Sequence, residues 1–232
     1  MITLTPRLAA VAGLVLPGLP AADIGTDHGY VPAYLVQQGH IPRAIASDLQ
    51  PGPLEAARRT VAAEGLEDRI DLRLGPGLSV LRPGEVATVI ISGMGERLVA
   101  AILDEGSLEG VRRLVLQPMG TGEPVRAWLA ENGWRLVAER LAVEGRHYYV
   151  VMAAEPGAME LSEGERLVGP CLRRQGDPLL KEYVERLLNQ ARTALAGAER
   201  TQRPEGRVRA GELRRQIRLL EEVLLDAEGD HR

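Results

Sequence analysis

A chain of 232 residues with 45% apolar residues has room for one main domain, an appendage and a sizeable core. Its single cysteine, Cys171, excludes an internal disulfide and a cysteine-rich metal site, and no apolar run is long enough to span a bilayer. The net charge of −4 argues against a nucleic-acid partner held by overall charge alone, and residues 1–7 lack the apolar stretch of a secretory signal, so a cytoplasmic protein is expected.

Thr5-Pro6 reads as a helix start, with Leu8, Val11, Ala12 and Val15 on one face and Pro17-Gly18 as its end. Strands and helices then alternate. Strands are predicted near 20–24, 43–48, 69–74, 86–91 and 112–117, with helices near 30–38, 52–64, 95–104 and 122–132 between them. Short Val/Ile/Leu-rich runs separated by helical patterns indicate a parallel sheet covered on both faces. Segments 135–143 and 147–154 flank Glu144-Gly145-Arg146 and read as an antiparallel hairpin. Tyr148 and Tyr149 fall on alternate faces of its second strand, so at least one of them is expected in the core. The whole is an α/β chain, a doubly wound Rossmann-like sheet, parallel with an antiparallel terminal hairpin, which resembles the usual shape of Rossmann-like methyltransferases.

Glu155-Pro156-Gly157 is a breaker cluster after the last strand and sets the expected boundary between residues 1–156 and 157–232. Beyond residue 161 the pattern is helical only. Leu179, Leu180, Val184, Leu187, Leu188 and Ala191 form one apolar stripe, and Leu213, Ile217, Leu220 and Leu224 form another. With Arg203-Pro204-Glu205-Gly206 between them, they predict a helical hairpin or short antiparallel coiled coil.

Charge divides along the same line. Residues 1–165 carry 14 basic and 21 acidic side chains, a balance of −7, whereas residues 166–220 carry 13 and 6, a balance of +7. Lys181 is the only lysine, so the basic arm is built of guanidinium groups, which bind phosphate in bidentate fashion. If a polyanion binds, the arm is its expected contact, with Arg200, Arg203, Arg207 and Arg209 clustered at the tip. A solvated helix pair, or a surface for a second subunit, explains the same charge.

The first strand runs into Asp23-Ile24-Gly25-Thr26-Asp27-His28-Gly29-Tyr30, a loop whose glycines allow a tight turn beside a ligand before a helix begins near Tyr30. Asp48, followed by Leu49, would sit at the tip of strand two, where a carboxylate accepts hydrogen bonds from a ribose diol. A dinucleotide site wants its second glycine where this chain has Asp27. Two acids, Asp23 and Asp27, repel a pyrophosphate but suit a ligand bearing an ammonium and a sulfonium, which describes S-adenosylmethionine. Three more segments fall at strand ends: Gly75-Pro76-Gly77, Gly93-Met94-Gly95 and Gln117-Pro118-Met119. The expected donor-binding set is therefore Asp23, Gly25, Asp27, Gly29, Asp48, Leu49, Gly75, Gly77, Gly93 and Met94.

Together with Leu116-Gln117-Pro118, Val168-Gly169-Pro170 and the terminal helical hairpin, these motifs resemble those of the bacterial tRNA (adenine-22-N1)-methyltransferases over nearly the full chain. The resemblance implies methylation of N1 of an adenine in the D-arm region of tRNA, with S-adenosylmethionine as donor and no metal. N1 faces its Watson–Crick partner, so the base must be extruded and held before it reacts. The ring becomes cationic, for which Asp27 and the carbonyl of Gln117 are the expected acceptors, Tyr30 the stacking group and His28 a hydrogen-bonding neighbour. The chain departs from the family's usual Gly-Asp-Gly at Pro76 and from its Gln-Pro-Asn at Met119. Proline offers neither carboxylate nor amide hydrogen, and Met119 alters the strand end nearest the target base. A small-molecule methyltransferase whose arm serves dimerisation, and a tRNA-binding protein without catalysis, are the alternative readings.

Overall fold

The computed structural model describes residues 2–200 and 204–229. They fall into two compact units, residues 1–160 and 161–232. The first is a sheet of seven strands, β1 (Ala21–Ile24), β2 (Ala44–Asp48), β3 (Ile70–Leu74), β4 (Thr88–Gly95), β5 (Arg113–Met119), β6 (Trp134–Glu144) and β7 (His147–Pro156), in the order β3-β2-β1-β4-β5-β7-β6. The first five strands are parallel, and β7 runs antiparallel to both β5 and β6.

The order reverses at β1, since β2 and β4 lie on its two sides, and this switch point is where an open α/β sheet leaves a crevice at its carboxyl ends. β1, β2 and the first half of β4 are buried on both faces, which is why they read as apolar runs. Helices α1 (Pro6–Ala12), α2 (Tyr30–Gln37), α3 (Pro51–Ala63), α4 (Glu96–Glu105) and α5 (Glu123–Glu131) cover the faces. Val11, Val15, Leu35, Val36, Ile41 and Val61 form one core layer with Ile90, Val115 and Val151 of the sheet.

Three elements differ from the sequence expectation. α1 stops at Ala12 with Gly13 as its C-cap, whose amide donates to Ala9 O at 2.9 Å, and Val15 joins the core from beyond the helix end. β4 and β5 run on past their predicted ends to Gly95 and Met119, carrying Gly93-Met94-Gly95 and Gln117-Pro118-Met119 within the sheet; the register shifts between Ser92 and Met94. That shift is a bulge, and Gly93, with φ of +77°, supplies the backbone for it. Tyr148 and Tyr149 are both half-buried and neither enters the core, because they lie next to the exposed turn between Glu144 and His147.

The second unit holds α6 (Glu163–Val168), α7 (Pro170–Gln175), α8 (Leu180–Glu199) and α9 (Pro204–Gly229). Ser162 and Glu165 close a capping box at α6, and Gly169, with φ of +108°, turns the chain into Pro170 at the start of α7. Leu180, Val184, Leu187, Leu188 and Ala191 of α8 are buried together with Ala210, Leu213, Leu220 and Val223 of α9. Val223 therefore takes the buried position expected of Leu224, and Leu179 lies outside α8 as its N-cap. Pro204, Glu205 and Gly206 belong to the first turn of α9 rather than to the connection, as proline suits a first helical position. No helix among the described residues is long and apolar enough to cross a membrane.

Candidate functional site

The loop after β1 turns at Gly25, with φ of +75°, and again at Asp27, whose φ of +52° makes it the non-glycine residue with a left-handed backbone among those described. Three of its amides are engaged within the protein. Gly25 N and Thr26 N both donate to the Ser47 carbonyl at 2.8 Å, and Gly29 N donates to Thr26 O at 3.0 Å. With these N–H groups turned inward and the Asp27 carboxylate on the loop, it is a poor anion cradle for a pyrophosphate. Asp23 is buried at 4% exposure and accepts a 2.7 Å hydrogen bond from the Thr26 hydroxyl. Burial pushes its carboxyl up to about 6, against the lowering effect of Thr26, and the charge of Asp48 pushes the same way.

A cavity of about 320 Å³ opens beside this loop, between the ends of β1, β2 and β3 and the outer turn of α4. Gly25, Asp48, Leu49, Gly75, Gly77 and Met94 line it, six of the ten residues expected to bind the donor. Asp48 is steadied by the Gln50 amide, which donates to its Oδ1 at 2.8 Å. The glycines let neighbouring side chains close around the cavity: a Cβ on Gly25 would lie 1.9 Å from the Met94 methyl, and one on Gly75 would lie 2.7 Å from Val80. Leu49, Leu74 and Leu98 remain exposed around the mouth. A wall of bare backbone and exposed leucines with one carboxylate at the β2 tip fits an adenosine, whose ring needs flat apolar contact and whose diol needs an acceptor. Glu105, at the end of α4, also lines the cavity. Sequence reading missed it because an acid ending an amphipathic helix carries no local signal.

The other four expected donor residues are placed elsewhere. Asp23 lies buried beneath the loop, and Asp27 is exposed on its outer side, 3.7 Å from His28 Nε2. Gly29 is buried where a Cβ would come within 3.1 Å of Ala57 in α3, so its missing side chain serves helix packing rather than close approach of a ligand. Gly93 belongs to the neighbouring half of the crevice. A second cavity, about 360 Å³, lies at the amino ends of β1 to β3. Three of its charged groups pair, with the Arg73 guanidinium bonded to Asp71 and to both Glu85 oxygens and holding the Glu85 carboxyl down at about 2.

His28 and Tyr30 stack with ring centroids 5.4 Å apart and planes at 15°, and both are exposed. They present a flat aromatic surface at the crevice end of α2. Gln117 sits differently from the expectation. It is fully buried, and its side-chain carbonyl accepts from Arg7 at 2.8 Å and from the Gly93 amide at 3.1 Å. Both lone pairs are thereby used, so this oxygen is not free to receive a cationic adenine, and the expected acceptor role is corrected to an internal one. Its Nε2 donates to Pro118 O at 2.9 Å and lies 3.7 Å from the Met119 sulfur.

Arg7 was not legible as a site residue. Its amide donates to Glu144 Oε1 at 2.9 Å, and its guanidinium lies 5.5 Å from the centre of the Tyr149 ring. Burial works to raise the Glu144 carboxyl, but hydrogen bonds from Thr5 and Arg7 and the Arg7 charge outweigh it and hold the group below its ordinary value. The loop after β5 has its own support. Glu96 accepts from the Thr121 hydroxyl and the Gly122 amide, while Arg126, fully buried, donates to Thr121 O and to Glu139, itself fully buried, at 2.8 Å each.

In the second unit, Arg200 caps α8 and Arg207 lies in the first turn of α9, both exposed and outside any ion pair among the described residues. Arg209 is paired with Glu212 at 3.0 Å, and Arg203 lies outside the described residues. Arg192 and Arg214 are likewise paired with acids of the facing helix, Glu221 and Glu199. The arm's positive excess is therefore concentrated on fewer groups than its arginine count. Among the described residues no group of three or more His, Cys, Asp or Glu side chains could hold a metal ion.

Comparison with known proteins adds to this geometry. Residues 21–222 match the model of a family described as tRNA (adenine(22)-N(1))-methyltransferase. A Bacillus subtilis protein of that name is 34% identical over 231 residues, covering 95% of this chain and 97% of its own. A Streptococcus pneumoniae structure in complex with S-adenosyl-L-methionine is 34% identical with a TM-score of 0.85, over 97% of this chain and 100% of its own. An M. capricolum structure in complex with S-adenosyl-homocysteine is 25% identical with a TM-score of 0.84, over 97% and 99%.

Proposed function

Because the chain belongs to the tRNA (adenine(22)-N(1))-methyltransferase family, we propose that it methylates N1 of adenine 22 in the D-arm region of tRNA, with S-adenosylmethionine as donor. The observation that carries the reading is the extent of the family match, which runs through both units rather than through the sheet alone.

The residues divide the work. Asp48 accepts from the donor's ribose diol, and the bare backbone at Gly25, Gly75 and Gly77 admits its adenosine. With Pro76 in place of an acid, Glu105 is the second carboxylate on that wall and the group available to an exocyclic amine. When bound, S-adenosylmethionine supplies an electrophilic methyl group on a sulfonium. N1 of adenine carries a lone pair in the ring plane, so the protein has no proton to remove from it and acts chiefly by alignment. His28 and Tyr30 offer the extruded base an aromatic surface, and the exposed carboxylate of Asp27 beside them favours the cationic product. The basic arm contacts the phosphate backbone, with Arg200, Arg207 and Arg218 exposed and outside any ion pair among the described residues.

Incubation with labelled S-adenosylmethionine and unmodified tRNA, followed by nucleoside analysis, tests the reading. Label is expected in 1-methyladenosine at position 22 and absent from a tRNA carrying guanine there. Label in another nucleoside, or transfer only to small molecules, overturns it.

A further inference from the structure

Gln117 occupies an unusual position for a buried amide at the end of a strand. Its oxygen joins two groups remote in sequence, the Arg7 guanidinium at 2.8 Å and the Gly93 amide at 3.1 Å. Its nitrogen faces along the strand, to Pro118 O and the Met119 sulfur. Met119 is 49% exposed and forms the last residue of β5, so the side chain of Gln117 connects a protected interior to the exposed end of the strand.

The guanidinium is itself held on three sides. The Glu144 carboxylate lies 3.9 Å from Arg7 Nε, the Tyr149 ring lies under its plane, and the bare Cα of Gly93 faces it, since a Cβ there would stand 3.6 Å from Arg7 NH1. A planar fork can donate to an amide oxygen in its own plane while its face lies on a ring, and an ammonium has no such face. Glu144 offsets the positive charge, which would otherwise oppose a base that turns cationic. A surface ion pair alone would require neither the ring nor the buried amide.

We propose that Arg7 is a positioning residue for methyl transfer: through Gln117 it fixes the β4 bulge at Gly93 and the β5 end at Met119, the two strand ends that present the target adenine. The proposal rests on the functional reading above. Without the guanidinium, one lone pair of a fully buried amide is unsatisfied, and Gln117 can turn to release the Gly93 amide. Of the β4 bulge and the β5 end only Met94 lines the cavity around Gly25, Asp48 and Gly77, whose other walls come from the ends of β1, β2 and β3 and from α4. Arg7 thus acts chiefly on the transfer step, with donor binding held by those other walls.

The test uses the full chain in two measurements. In hydrogen exchange, Arg7→Ala is expected to speed exchange in segments 91–95 and 116–120 while 23–26 and 47–50 stay as in wild type. In single turnover at saturating donor and tRNA, the transfer rate falls about tenfold or more while donor affinity by calorimetry stays within about twofold. Arg7→Lys, which keeps the charge but not the fork, recovers less than half of the loss in log rate, and Arg7→Ala/Gln117→Ala is no slower than the slower single variant. Unchanged exchange at Gly93, an unchanged rate per folded molecule, or effects that multiply in the double variant overturn the proposal. Should Arg7→Ala not fold, Arg7→Gln carries the same comparisons. A wild-type chain that leaves tRNA unmethylated sinks the functional reading instead, and the exchange measurement still decides whether Arg7 holds these strand ends.

Discussion

In the half of the crevice that suits the donor, Gly25, Asp48, Gly75 and Gly77 come from successive strand-to-helix turns, each placed by the strand before it. In the half around β4 and β5, the side chain that matters is held by residues 110 and 24 positions away, Arg7 and Gly93, and the loop beyond by the buried pair Arg126–Glu139. One half is written in local motifs, the other in long-range contacts. Local turns can be kept or lost one at a time, whereas a linked set of buried polar groups fails together, because each member is costly once its partner is gone.

The largest expected effect falls on the linked half. Arg126→Met takes the guanidinium away from the buried Glu139 carboxylate, and should cost about 3–5 kcal/mol of stability in chemical denaturation. Arg126→Met/Glu139→Leu should recover much of it; a double variant as unstable as the single one would show that packing rather than pairing dominates there.

Asp23 tests the donor half by pH. Its carboxyl is raised from 3.8 to about 6, so the folded protein holds this proton more tightly than the unfolded chain does. The stabilisation from that proton is fully present below pH 3.8 and is lost as pH rises through about 6. Asp23→Asn, which keeps an acceptor for Thr26, should therefore gain up to about 3 kcal/mol over wild type between pH 4 and 7 while binding the cationic donor more weakly. A stability difference that does not change with pH would remove the buried charge from the account. Asp48→Ala should weaken donor binding by about 1–3 kcal/mol in calorimetry, with the melting temperature nearly unchanged. Unchanged affinity would take Asp48 out of the site.

The smallest effects are on the arm, whose contacts are separate and exposed. Reversing Arg200 and Arg207 should weaken tRNA binding and flatten its salt dependence by about one unit of slope per lost phosphate contact. Arg209→Glu should do less, since Arg209 already spends its charge on Glu212. Equal slopes in wild type and variants would leave the arm a solvated hairpin.

Five parallel strands, their helices and the closing hairpin were legible because apolar runs, breaker residues and helical periodicity are local properties of the chain. So were the loop at Gly25 and the acid at Asp48, whose spacing from one strand end to the next is set by the βαβ unit. The sequence also placed Gly29 beside a ligand and left Gln117 as a free acceptor, and the tertiary structure reassigned both: Gly29 to the packing of α2 on Ala57, Gln117 to Arg7 and Gly93. Arg7 and Glu105 carry no motif at all. Whether a glycine faces a ligand or a helix, and whether an amide is free or satisfied, depends on which distant segments pack against it. Local pattern determines what a segment becomes, and only the packed chain decides what its side chains meet.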